Sequence, residues 1–162
     1  MHPDHPRVLE RLGYVHGMLG QYAEAAALYR HGLERDPTNQ DLLVGLAFTL
    51  ERQGHVEEAI VAYREAVAAK PEQPDPHARL AGLYYGERRY PEAVREYELA
   101  ISLGERNPAR IAQLCMSYHV TSQFQRAADC FEAVLVQDPR NALAQRMLPE
   151  VRNNLSRRGT TQ

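Results

Sequence analysis

Residues 40–73 read QDLLVGLAFTLERQGHVEEAIVAYREAVAAKPEQ, 34 residues that hold two helical patterns on either side of one glycine. In the first half Leu43, Leu46, Ala47 and Leu50 fall three and four residues apart, which puts them on one face of a helix. Gly54 interrupts the run. The second half carries Val56, Ala59, Ile60, Tyr63 and Val67, again a single apolar face. Glu57 and Glu58 open this half, where negative charge suits a helix N-terminus.

The stretch repeats along the chain. Ala25 with Tyr29, Ala59 with Tyr63, Ala93 with Tyr97 and Ala127 with Phe131 follow one another at steps of 34 residues. Leu12, Leu46, Leu80 and Leu114 keep that step, and so do Gly13, Ala47, Ala81 and Cys115. Proline marks the end of three units at Pro37, Pro71 and Pro139, and Gly104 closes the third. The units are therefore 6–39, 40–73, 74–107 and 108–141, with no insertion between them. Each hairpin alone leaves an apolar face in water, so the array is stable only when neighbours stack. The small residues of the third series are expected opposite Ala25 and its counterparts, and the aromatics in the wedge toward the next hairpin.

This pattern resembles the tetratricopeptide repeat family, whose signature is a 34-residue helix-turn-helix. The resemblance implies an all-α fold, a right-handed α-solenoid of four such repeats. The tryptophan common near each repeat start is absent, and Leu9, Leu43, His77 and Ile111 stand there, of which the polar His77 suits the place least. After the fourth unit, 142–158 has Leu143, Met147, Leu148, Val151 and Leu155 on one side, a capping helix for the last exposed face. Pro149 predicts a kink or a restart within it. Residues 1–158 then form a single domain and 159–162 a disordered tail. Met1 to Asp4 have no cap of their own, which suggests a piece of something longer.

Composition limits the function. The chain has 162 residues, 44% hydrophobic and 25% charged, with a formal net charge of −2. That is a globular composition without the basic surface of a nucleic-acid or polybasic membrane binder. The basic pairs Arg88-Arg89 and Arg157-Arg158 read as solvated. No run of residues is apolar enough for a membrane helix, and no secretion signal opens the chain. Five histidines (His16, His31, His55, His77, His119) are scattered without ligand spacing, while His2, Asp4 and His5 cluster only at the start. No nucleotide-binding or nucleophile-elbow motif is present. The expectation is a non-enzyme with no cofactor and no metal. Cys115 and Cys130 read as small buried apolar residues, since a bridge between them requires an oxidising compartment.

In the family the first helices of successive repeats line a concave face that takes extended or helical peptides. On this chain the corresponding row is Arg7, Glu10, Tyr14 and Met18, then Asp41, Val44, Phe48 and Arg52. It continues with Asp75, Ala78, Gly82 and Tyr85, with Ala112, Met116 and His119, and with Arg146 and Glu150 of the cap. Its middle is aromatic and methionine-rich, a surface suited to protein recognition. The Lys, Asn and Arg clamp with which some members grip a chaperone's terminal carboxylate is missing. Glu10, Tyr14, Gly45 and Asp75 occupy its places, and only Arg79 fits.

The reading is a scaffold or adaptor holding a protein or peptide partner in this groove, without nucleic acid or a membrane span. Self-association is the alternative, and so is the recruiting arm of a larger enzyme. The expected compartment is the cytoplasm, or the periplasm if a signal sequence has been removed.

Overall fold

In the computed structural model residues 5–159 are described, and the expectations placed on 1–4 and 160–162 lie outside them. Among the described residues there are nine helices and no strand. They are α1 (Pro6–Met18), α2 (Tyr22–Arg35), α3 (Gln40–Gln53), α4 (Val56–Ala69) and α5 (Pro74–Gly86), followed by α6 (Tyr90–Ser102), α7 (Pro108–Val120), α8 (Phe124–Gln137) and α9 (Ala142–Gly159). Two compact units divide the chain, residues 1–80 and residues 81–162.

Helix starts follow local chemistry. The Asn39 side chain accepts the Leu42 N–H, and Asn107 and Asn141 do the same for Ala109 and Ala144. Each thereby satisfies one of the free donors at its helix's first turn. Pro6 and Pro108 open α1 and α7, where the missing N–H costs nothing. At the turn between paired helices the backbone is left-handed in all four repeats, at Gly20, Gly54, Arg88 and Ser122 (φ 75°, 81°, 58° and 62°).

In the first unit α1 packs on α2 and α3, α2 on α3, and α3 on α4. Its core holds Ala25, Ala59 and Tyr63, all fully buried. Burial of a side chain as large as Tyr63 is worth about 1.5–3 kcal/mol. Tyr29 fits between two helices because both lack a side chain there. A Cβ on Gly13 would lie 2.8 Å from its ring, and one on Gly45 2.5 Å. The side chain nearest Gly13 is thus the wedge aromatic itself. Leu12 also departs from its series: it is 44% exposed, while Leu46, Leu80 and Leu114 are buried.

His77 is accommodated rather than misplaced. It is 2% exposed, and its Nε2 donates to the Pro71 carbonyl at 2.9 Å. Gln40, also buried, donates to the carbonyls of Ala66 and Lys70 at 3.0 and 3.2 Å and so closes the C-terminus of α4.

In the second unit α6 packs on α7, α7 on α8, and α9 on α8 and α7. Tyr97, Phe131 and Val151 are fully buried there. The two cysteines are not separate core residues as read from the sequence. Cys115 on α7 and Cys130 on α8 form a disulfide, with 5.4 Å between their Cα atoms. The close approach of the two helices of one hairpin brings them into range. Of the kink or restart expected at Pro149, the restart does not occur, since helix α9 runs on through it. Met147, Leu148 and Val151 hold it down, and Gln145 and Pro149 are exposed, so water can serve the carbonyl the proline leaves unbonded. Gly159 belongs to this helix and not to the tail.

Candidate functional site

The row of first-helix residues divides between the two units. In the first unit Glu10, Tyr14 and Met18 of α1 and Asp41, Val44 and Phe48 of α3 line one groove of about 760 Å³. Helical spacing explains it, since positions three and four apart on two packed helices face the same side. Three of its large apolar side chains stay open to solvent, Tyr14 at 63%, Met18 at 71% and Phe48 at 39%. Asp75 and Arg79 of α5 close one side. Arg79 Nε donates to Asp75 Oδ2 at 2.6 Å, and its guanidinium stands 5.6 Å from the Phe48 ring centre, a cation–π contact.

The floor is made by residues that the sequence row omits. Tyr29 of α2 reaches it across Gly45 of α3. Burial, with the Glu10 carboxylate and Tyr14 nearby, pushes the Tyr29 hydroxyl up to about 12. Tyr29 stays a neutral phenol across the physiological range. Its role here was hidden because its helical pattern marks it only as core.

Other members of the row lie elsewhere. Arg7 is exposed on α1 and is not among the residues lining this groove. Arg52 turns to α2, where its Nε donates to the Tyr22 hydroxyl at 3.1 Å and its guanidinium covers that ring at 5.7 Å. In the second unit Tyr85 and Met116 line a smaller groove of about 330 Å³ with Ala112, Gln113 and Leu143. His119 is outside it. Its Nε2 is 3.5 Å from Glu150 Oε1, its ring lies 5.7 Å from Phe124, and its buried Nδ1 has no hydrogen-bond partner among the described residues. Among those residues no group of three or more His, Cys, Asp or Glu could hold a metal ion, and no helix is long and apolar enough to cross a membrane.

Helix pairs at a 34-residue repeat, wedge aromatics and an open first-helix groove define a class of helical repeat arrays that bind other proteins. The family model described as tetratricopeptide repeat matches residues 18–63 and 50–116, more than half of the chain, and the chain belongs to that family. Its members are in general non-catalytic interaction repeats. Among solved structures the chain is similar to MamA (17% identity, TM-score 0.86, covering 96% of this chain and 85% of that one). It is similar also to YrrB, described as a TPR protein with an unusual peptide-binding site (19%, 0.86, 93% and 77%). A third is a tetratricopeptide repeat protein from Parabacteroides merdae (19%, 0.81, 92% and 60%). None of the curated proteins searched matches the sequence. At these identities the likeness to solved structures establishes the fold alone.

Proposed function

We propose that the chain is a non-catalytic scaffold that holds a partner protein by an extended or helical segment lying in the groove of its first unit. The observation that carries this reading is the exposure of Tyr14, Met18 and Phe48 along one concave wall. Aromatic and methionine side chains left in water cost stability that binding recovers, and such residues dominate interface energies. The peptide-binding site described for YrrB supports the same use of the fold. The Cys115–Cys130 bond supports an oxidising compartment, the periplasm of the two locations considered above, over the cytoplasm.

The test is a display selection of random peptides on the full chain, repeated on a Phe48→Glu variant whose helicity is checked by circular dichroism. Phe48 is exposed enough to accept the change without unfolding. Peptides retained by the parent and lost by the variant place binding in the groove. Equal retention by both removes the reading.

Self-association remains a second reading because Leu12 and Val15 of α1 and Leu19 at its C-cap are exposed. Light scattering across a wide concentration range decides it. A mass that stays at one chain throughout removes it.

A further inference from the structure

The wedge aromatics do more than fill space, because each tyrosine hydroxyl has to be satisfied where it ends. Tyr63 ends against the Arg79 guanidinium, with Glu51 Oε2 at 3.4 Å. Tyr97 donates to Gln113 Oε1. Phe131 has no hydroxyl, and the position one repeat beyond Gln113 is the buried, apolar Met147. Arg79, Gln113 and Met147 stand 34 residues apart, so the chain matches what it places at this position to what the aromatic needs.

One repeat earlier that position is Gly45. The Tyr29 ring takes the space that a side chain on residue 45 would fill, 2.5 Å from where its Cβ would stand, so that residue offers the hydroxyl no partner. Tyr29 is 5% exposed and lines the groove, yet its hydroxyl makes no hydrogen bond among the described residues. The hydroxyl opens to the groove, where water serves it in the free chain and a guest can supply the partner that residue 45 does not.

Charge says which guest. The groove is lined by the carboxylates of Glu10, Asp41 and Asp75 and by the guanidiniums of Arg11 and Arg79. Asp75 and Arg79 bind each other. Glu10 and Asp41 have no ion pair among the described residues. Arg11 is exposed, and the charge that acts on the Tyr29 hydroxyl is Glu10.

We propose that the groove at the Tyr29 hydroxyl, beside Gly45, receives the guanidinium of an arginine from the partner segment, supplying in trans what Arg79 supplies to Tyr63 in cis. The Tyr29 hydroxyl accepts one guanidinium N–H, Glu10 takes the charge, and the Tyr14 ring offers a cation–π wall. A planar fork with several donors can serve hydroxyl and carboxylate together, which a lysine ammonium does less well. Apolar neighbours of that arginine in the partner then meet Met18, Val44 and Phe48. This inference rests on the groove reading above.

The experiment takes the tightest peptide from the selection and replaces each arginine in turn by citrulline, a neutral shape match. One such replacement is expected to weaken binding about tenfold or more, the worth of a charge-assisted contact. Glu10→Gln in the full chain is expected to weaken the arginine peptide and to leave its citrulline form almost unaffected, and Tyr29→Phe is expected to weaken the arginine peptide by more than the citrulline form, whose N–H donors are uncharged. Tyr29→Phe removes only a hydroxyl with no partner in the chain, so it is expected to fold as the parent does even if Glu10→Gln does not. Peptides lost on Phe48→Glu but indifferent to citrulline and to Tyr29→Phe overturn the arginine contact and leave groove binding standing. A selection that yields no peptide sensitive to Phe48→Glu overturns both.

Discussion

Gly45 and Gly82 both lie inside helices, and a methyl group means opposite things at the two. On Gly82 a Cβ would rest 3.6 Å from the Tyr97 hydroxyl, an ordinary contact. Gly82→Ala is expected to stabilise the chain by up to about 1 kcal/mol through helix propensity. On Gly45 it would stand 2.5 Å from the Tyr29 ring, and that ring has little room to retreat because Gly13 flanks it too, where a Cβ would stand 2.8 Å away. Gly45→Ala is expected to destabilise by about 1–3 kcal/mol, the usual cost of overpacking. Urea denaturation of both variants checks the opposite signs. The tyrosines form a second series at this scale. Tyr63→Phe and Tyr97→Phe each remove a hydroxyl that has partners, Arg79 and Gln113, and are expected to cost about 1 kcal/mol. Tyr29→Phe removes one without a partner and is expected to change stability by less than about 0.5 kcal/mol. An equal loss in all three would mean that Tyr29 has a partner in the free chain.

Helices and turns obey the repeat more strictly than the side chains that make them. The left-handed turn position is glycine in the first two repeats but Arg88 and Ser122 in the last two, at φ 58° and 62°. A side chain there is strained, so Arg88→Gly and Ser122→Gly are each expected to stabilise by about 1 kcal/mol, read as a higher thermal midpoint. The same contrast explains what could be read in advance. Apolar spacing places every helix, because periodicity depends only on which face is buried. The groove positions on α1 and α3 follow from it, since they are the other face of those helices. Asn39, Asn107 and Asn141 look like unit ends and prove to be N-caps, a role that their place just before an apolar run does signal. His77 looks like a defect because a sequence does not display the Pro71 carbonyl that receives its N–H. Tyr29 and Gly45 look like core for a similar reason. What makes them part of a site is a missing partner, and an absence has no pattern of its own.

At the scale of the whole molecule, repeat arrays pass stability from neighbour to neighbour, so a local change should be felt locally first. The disulfide allows a direct check because it sits in the second unit, far along the chain from Gly45. Cys115 and Cys130 are 15 residues apart in sequence, and closing a loop of that length is worth about 3 kcal/mol. A Cys115→Ala, Cys130→Ala chain is a fair reference, since Ala47 and Ala81 occupy the first position in other repeats and Ala62 the second. Reductant is expected to lower the thermal midpoint of the parent toward that of this reference and to leave the reference unmoved. Native-state hydrogen exchange then resolves where the loss falls. Reduction is expected to weaken protection most in α7 and α8, whereas Gly45→Ala is expected to weaken it most in α2 and α3. If both changes lower protection equally in every helix, the nine helices open as one cooperative block, and nearest-neighbour coupling is the wrong description of how this chain holds its fold.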